Sequence, residues 1–546
     1  MTMRTRTDAL LLAGFCAFLF FYGAGQFGLI GADEPRYAQV AREMLDRPSH
    51  IDGFITPTLG GNPWLEKPPL YYWQAMLAYS LFGVSDVAAR IPSAVDATLL
   101  VIAIYLFFHR FRPGVEVDAA LITASCAGII GYARAASMDM ALAATFGIGM
   151  LAWWAWRESE NRIYLALFYA CMGLGMLAKG PVAPFLAAAI VVLFAVATHE
   201  LRLVLRTLWL PGILLFCVIA LPWYFAVQLR NPQFFREFIL QHNLARFSSD
   251  LYHHRQPFWY YLPVTALAMV PWIVFVVVAF VERIRVWWEE RKSAPKPDLE
   301  FQFGLFACCW LVVPVAFFSI SQSKLPGYIL PAIPAGAVLL ADYLRQHLEL
   351  EQSEPHPIPK WLAVLHALVA SAPIVPAMFI GFLVTHRRLA SGRPMLFAIA
   401  FAFVLFVAIA LTLFRRAGFR MLRFVTLIPV VLSVAAVLKL GTTGIDASLS
   451  ARALAIELAS VETHMLPVAV YGVQREMEYG LAFYRNQTII HYEPGNIPTG
   501  EHLLVAPTTW MDNVAKETAG RHVTKLGHYA PQNVDYYYVG AVGTKP

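Results

Sequence analysis

Charge is scarce in this chain: Asp, Glu, Lys and Arg make up 14% of its 546 residues, hydrophobic residues reach 58%, and mean hydropathy is +0.56. Soluble domains carry about 25% charged and 45–50% apolar residues, so a purely soluble architecture is excluded and a polytopic membrane protein is indicated. Cysteine is sparse too. All six (Cys16, Cys126, Cys171, Cys217, Cys308 and Cys309) sit inside apolar runs without paired spacing, which argues against a disulfide framework and a thiolate metal site. The formal charge of +6 does not mark a nucleic-acid binder, because Lys and Arg are scattered between apolar runs instead of gathering on one polar face. Internal repeats, low-complexity tracts and HExxH spacing are absent from the sequence.

What is present is a series of long apolar runs. A hydrocarbon core of about 30 Å needs roughly 20 apolar residues per helix, and about thirteen runs meet that need. They begin near Ala9, Ile91, Ala119, Met138, Ile163, Val182, Leu208, Trp259, Phe301, Ile329, Trp361, Met395 and Phe424. The first follows Met1-Thr2-Met3-Arg4-Thr5-Arg6 without a small-residue cleavage site and reads as an uncleaved anchor. With the N-terminus inside, Arg110, Arg112, Arg157, Arg162, Arg202, Arg206, the stretch 283–296, Arg415, Arg416, Arg420 and Arg423 all fall on the cytoplasmic side, as short-loop cations should. An odd number of spans then puts the C-terminus outside. Lys67, Arg134, Lys179, Lys324, Arg387 and Arg388 land outside against this bias. A cation that resists the bias is expected to hold an anion such as phosphate.

The expected fold is mainly α. Residues 1–440 form a polytopic membrane domain with outer loops at 31–90 and 229–258, and residues 441–546 form a small soluble α/β domain. In that last domain 451–460 has helical periodicity, while 467–471, 488–492, 502–505 and 534–542 read as short strands. Within the first loop, 34–45 and 69–81 show helical spacing, with Tyr and Trp suited to the headgroup zone.

Ionisable residues at the rim of a membrane domain are functional candidates, because they are costly to keep there. Asp33-Glu34-Pro35-Arg36-Tyr37 follows the first span. Position alone leaves Asp33 and Glu34 open between catalysis and capping a helix that has Pro35 in its first turn. Glu66-Lys67-Pro68-Pro69 offers a carboxylate and an ammonium on a rigid turn, for a phosphate, a metal or a plain ion pair. Asp139 opens the fourth run, where Ser137 competes for the cap, and Lys179 sits in a tight turn between two runs. The 229–258 loop holds Arg246 beside His242, His253 and His254, whose imidazoles together with Glu66 could bind a divalent ion such as zinc. Lys324 and Tyr328, in Ser323-Lys324-Leu325-Pro326-Gly327-Tyr328, are a cation and a phenol suited to a phosphate.

Taken in order, Asp33-Glu34, Leu65-Glu66-Lys67-Pro68-Pro69-Leu70-Tyr71-Tyr72-Trp73, Leu177-Ala178-Lys179-Gly180-Pro181, His242-Asn243-Leu244-Ala245-Arg246-Phe247 and the Ser323 to Pro331 turn resemble the bacterial aminoarabinose transferases of lipid A. These belong to the GT-C glycosyltransferases, which include the protein O-mannosyltransferases. The resemblance runs from about residue 10 to 440. It implies a monomeric inner-membrane enzyme taking 4-amino-4-deoxy-L-arabinose from an undecaprenyl phosphate donor to lipid A phosphates at the periplasmic face, which weakens polymyxin and other cationic peptides. On that implication Asp33, Asp139 and Glu34 are the catalytic candidates, and Lys67, Lys179, Arg246, Lys324 and Tyr328 bind the donor phosphate. A GT-C enzyme with a hydroxyl acceptor is the nearer alternative. A lipid-linked sugar flippase is the farther one, since it would call for midplane charges and inverted repeats.

Overall fold

The computed structural model describes residues 3–47, 49–238, 256–290, 298–353, 358–386, 392–415, 418–493 and 495–543. Every one of the thirteen apolar runs is helical, as backbone buried in hydrocarbon must be. Nine described helices are long and apolar enough to cross a membrane, and two bent pairs raise the number to eleven. This is below the expected thirteen for a physical reason. Apolar composition does not announce a bend, so Glu116–Ser125 with Ala127–Ala133 turns by 65° across extended Cys126, and Phe258–Ala268 with Ile273–Glu289 turns by 117°. The other two runs are shorter: Val182–Ala197 has 16 residues, and Met3–Cys16 begins with Arg4, Arg6 and Asp8 before passing into a π-helical turn. The chain is a multi-pass membrane protein.

Aromatic packing holds the bundle. Trp153, Trp154 and Phe306 are buried together, with the Trp154 and Phe306 rings 5.1 Å apart. Ion pairs tie neighbouring helices at one end of the bundle: Arg112 to Glu158 at 2.8 Å, Arg157 to Glu200 at 2.9 Å and Arg423 to Asp118 at 2.8 Å. The catalytic candidates lie at the other end, Asp33 and Glu34 on helix Asp33–Leu45 and Asp139 on Met138–Ser159; Asp33–Leu45 and Leu70–Phe82 match the two helices expected in the first loop. A further short helix, His50–Ile55, and the hairpin of β1 (Thr58–Leu59) with β2 (Asn62–Pro63) had no clear sequence signal.

The last span continues through Leu449 and leads into the C-terminal sheet domain. Its sheet is formed by β3 (Val468–Val470), β4 (Ile490–His491), β5 (His502–Pro507), β6 (Val523–Tyr529) and β7 (Val534–Val539), in the order β4-β3-β5-β7-β6. β3 is parallel to β4 and β5, while β7 is antiparallel to β5 and β6. Alternation sends Val468, Val470, Leu503 and Val505 to one face against Leu454, Leu458 and Leu481, and Ala469, Leu504 and Tyr537 to the other. β6 and helices Arg475–Arg485 and Met511–Glu517 lie outside the expected elements.

This domain and the end of the last span pin the chain just before Asp33. Tyr484 Oη donates to Asp86 at 2.6 Å and accepts from the Leu29 amide at 2.6 Å. Asp446 accepts from the Gly28 amide at 2.7 Å, and Arg452 donates to the Gly25 carbonyl at 3.0 Å and to Asp86 at 2.9 Å.

Candidate active site

The Asp33–Leu45 helix starts without a side-chain cap, its N-cap position being Ala32, so capping explains neither acid. Asp33 Oδ1 accepts from Arg36 Nη2 one turn on, at 2.5 Å, and its side chain stays 53% exposed. Arg36 is held on three sides, its guanidinium lying 4.9 Å from the Tyr37 ring, 5.3 Å from Trp64 and 5.7 Å from Tyr479 of the C-terminal domain. Successive helical residues diverge by about 100°, so Glu34 faces elsewhere. It is buried, accepts from Arg90 at 2.6 Å, and takes the Ile30 and Ala136 amides at 2.9 Å each. Those contacts commit Glu34 to holding the loop, the first span and the Ala136 turn together.

Asp139 is free of capping duty because Ser137 performs it. Ser137 Oγ accepts from the Asp139 amide at 3.1 Å and donates to Asp139 Oδ2 at 2.7 Å. The other carboxylate oxygen pairs with Lys179 Nζ. Lys179 ends the Arg162–Lys179 helix, and Gly180, with φ of 85°, makes the sharp turn behind it. Its ammonium also lies 4.5 Å from the centre of the Tyr328 ring. Lys67 acts electrostatically on Asp139, and Asp33, Asp139 and Tyr328 all act on Tyr132. A Cβ on Gly327 would lie 2.6 Å from the Tyr132 hydroxyl and 2.9 Å from the Asp139 carboxyl carbon, so only glycine lets the 321–328 turn approach this closely.

Burial pushes the Tyr37 and Tyr72 phenols well above their ordinary pKa, and the Asp33 carboxylate adds to it in both. They therefore stay protonated and able to donate. The Tyr72 hydroxyl is buried and has no hydrogen-bond partner among the described residues. A donor in that condition, beside Asp33, Arg36 and Glu66, suits an anionic or hydroxylated ligand.

The structure thus brings together Asp33, Asp139, Lys67, Lys179 and Tyr328. Lys324 is buried, and its ammonium donates to the Ser321 carbonyl. Glu66 is half-buried and acts on Arg36 and Tyr72. Arg246, His242, His253 and His254 lie outside the described residues, and among the described residues no three His, Cys, Asp or Glu side chains cluster as a metal centre requires. Sequence reasoning missed Arg36, Tyr37, Tyr72 and Tyr132 as site residues. Only Arg36 carried a readable signal, its i,i+3 spacing from Asp33.

The bundle of spans carries long loop helices at one end, with a C-terminal sheet domain clamped on them and carboxylates, cations and phenols gathered there. The crystal structure of ArnT from Cupriavidus metallidurans bound to undecaprenyl phosphate superimposes with a TM-score of 0.72 over 97% of both chains, at 22% identity, a likeness of fold. The family model for dolichyl-phosphate-mannose-protein mannosyltransferases matches residues 66–225. Curated relatives carry the name read from the motifs, undecaprenyl phosphate-alpha-4-amino-4-deoxy-L-arabinose arabinosyl transferase. The one from Pseudomonas savastanoi pv. phaseolicola is 34% identical over 354 residues, 64% of this chain and 63% of the relative. That from Pseudomonas aeruginosa is 32% identical over 360 residues, 64% and 62%. The chain therefore spans less than two thirds of the length of the curated relatives it matches.

Proposed function

We propose that this protein transfers 4-amino-4-deoxy-L-arabinose from undecaprenyl phosphate to lipid A phosphates at the periplasmic face of the bacterial inner membrane, acting as a monomer and lowering sensitivity to polymyxin. The observation that carries the reading is the meeting of Asp33, Asp139, Lys67, Lys179 and Tyr328 at the bundle end that bears the C-terminal sheet domain. A polyprenyl-phosphate donor brings its reactive phosphate to the headgroup plane, where Lys67, Lys179 and the Tyr328 hydroxyl stabilise it as it departs. The sugar carbon becomes cation-like as that bond breaks, and Asp33 or Asp139 balances its charge. Attack by the acceptor oxygen in a single displacement inverts the anomeric carbon. On this reading Arg246 and Lys324 also serve the donor phosphate.

A divalent ion held by Glu66 with His242, His253 or His254 is part of this proposal, since a half-buried carboxylate and imidazoles are zinc donors. Metal analysis of the purified protein tests it: zinc should be present and lost in Glu66→Ala. For the reaction, lipid A from a strain lacking this protein is compared by mass spectrometry with that from the complemented strain. Loss and return of the aminoarabinose mass support the reading. Unchanged lipid A with altered glycosylation of a protein would favour a hydroxyl acceptor.

A further inference from the structure

Helix Arg475–Arg485 of the C-terminal domain lies along helix Asp33–Leu45 of the first loop, held there from several sides. Phe483 packs into the loop's own core with Tyr37, Ala38 and Ala41, and its carbonyl accepts from Arg42 at 3.2 Å. Tyr484 bonds Asp86 and the Leu29 amide. On the domain side Gly480 comes so near Ala451 that a Cβ there would stand 2.6 Å from the Ala451 Cβ. Tyr479 stands one turn before Phe483 and shares its face. The Arg36 guanidinium lies 5.7 Å from the Tyr479 ring centre, and the phenol takes a hydrogen bond from Arg36. Burial raises the pKa of that phenol, so it stays neutral.

Arg36 has two carboxylates to choose between, since Asp33 and Glu66 both act on it. It takes Asp33, through Nη2 at 2.5 Å, and the same nitrogen reaches the Tyr37 hydroxyl at 3.2 Å. Nε is buried without a hydrogen bond among the described residues, so hydrogen bonds alone do not set the direction of the guanidinium. The rings beside it do: Trp64 comes from the loop and Tyr479 from the C-terminal domain. A planar guanidinium set against aromatic rings keeps its edge free to bond a carboxylate. Without Tyr479 one wall of this slot is gone, and the guanidinium is free to turn toward Glu66. We propose that Tyr479 is a positioning residue for the transfer reaction, reaching from the C-terminal domain to hold Arg36 on Asp33 so that the carboxylate stands where the sugar cation forms. The inference rests on the proposed transferase function and adds that the C-terminal domain completes the site. A neutral phenol does this without a charge that would compete with Asp33 for Arg36. The donor phosphate is assigned to Lys67, Lys179 and Tyr328, which gather around Asp139 instead.

Steady-state kinetics of the full-length protein in nanodiscs, with the undecaprenyl phosphate-linked aminoarabinose donor and lipid A, test this. A cation–π contact and a hydrogen bond to a charged group together correspond to about tenfold or more in an equilibrium, so Tyr479→Ala should lower kcat about tenfold or more while KM for the donor moves by less than about twofold. Tyr479→Phe keeps the ring and should recover part of the loss. Phe483→Leu loosens the same helix while leaving the rings around Arg36 in place, and should keep kcat near the wild-type value. Equal losses of kcat in Phe483→Leu and Tyr479→Ala would mean that docking of the helix is all that matters, and overturn the proposal. Arg36→Met should lower kcat as well, and adding Tyr479→Ala to it should cost little more, because no guanidinium is left to hold. Losses that multiply overturn the proposal. Native mass spectrometry with undecaprenyl phosphate alone should show Tyr479→Ala binding it as the wild type does, and weakened binding there would place Tyr479 at the phosphate instead of behind Asp33. A wild type that transfers to lipid A while Tyr479→Ala behaves normally sinks this inference alone. A wild type with no transfer to lipid A sinks the function and the inference together.

Discussion

Arg90 spends all five of its N–H donors on the chain around Glu34. Nε and Nη2 reach the Glu34 carboxylate, Nη2 also the Gly28 carbonyl at 2.9 Å, and Nη1 the Ala24 and Phe27 carbonyls at 2.6 and 2.9 Å. Both side chains are buried. Removing one partner of such a pair strands a buried charge, which costs about 3–5 kcal/mol. Arg90→Met should lower the thermal unfolding midpoint of the detergent-solubilised protein sharply. The double variant Glu34→Gln with Arg90→Met should regain part of the loss, because it leaves no uncompensated charge. If the two losses simply add, Glu34 is not held by Arg90 as described.

Lys179 is expected to exchange partners during the reaction. Without donor its ammonium is matched by Asp139, and an incoming phosphate competes for it. Lys179→Ala removes a charge-assisted hydrogen bond of about 1.5–3 kcal/mol, so undecaprenyl phosphate binding should weaken roughly 10- to 100-fold. Asp139→Asn should act in the opposite direction on binding, by freeing the ammonium and removing a negative charge, while slowing turnover. Isothermal titration with undecaprenyl phosphate, beside single-turnover rates, reads the two effects apart. Weaker phosphate binding in Asp139→Asn would count against this exchange.

Much of this arrangement was legible in the sequence because the membrane makes the code simple. Apolar length marked all thirteen helical runs, and cations on the side that short-loop rules disfavour picked out Lys67 and Lys179. Ser137 illustrates the limit. Competition between Ser137 and Asp139 for one cap could be stated from spacing, but only the fold shows that Ser137 wins and leaves the carboxylate to Lys179. Glu34 was out of reach because its partner Arg90 is distant in sequence, and charge identity says nothing about which distant residue answers it. The bends at Cys126 and before Ile273 were hidden for a related reason, since apolar residues read alike whether a helix runs straight or breaks.

In the C-terminal sheet domain Asp535 sets an acid limit on stability. Burial pushes its carboxyl up, yet hydrogen bonds from Lys525 at 2.7 Å, His528 at 2.8 Å and Thr508 at 3.1 Å outweigh this and hold its pKa below the ordinary carboxylate value. The folded state then binds the proton less readily than the unfolded chain, whose Asp titrates near about pH 3.9. Its contribution is complete above that pH and is lost as the pH falls below it. Hydrogen exchange of the β5 to β7 strands should accelerate on acidification toward about pH 3 in the wild type. Asp535→Asn should exchange faster at neutral pH and respond less to acid. Equal acid responses in the two proteins would remove Asp535 from this role.

Asp33 separates the acceptor classes. A hydroxyl acceptor must lose a proton, and a general base that takes it is worth roughly 10²–10⁴-fold in rate. A phosphate monoester carries about −1.5 to −2 charges at neutral pH and is already an oxyanion nucleophile. With a phosphate acceptor Asp33 has geometry and charge to supply, and Arg36 at 2.5 Å, wedged between Tyr37, Trp64 and Tyr479, fixes where its carboxylate points. Asp33→Asn should therefore lose activity at every pH without steep recovery on alkalinisation, and Lys67→Ala should be comparably damaging through weaker phosphate binding. Initial rates with lipid A from about pH 5 to 9, a range that brackets the second phosphate ionisation at about 6, decide the matter. A strong return of Asp33→Asn activity at the alkaline end would identify a proton that Asp33 removes, and with it a hydroxyl acceptor in place of the phosphate.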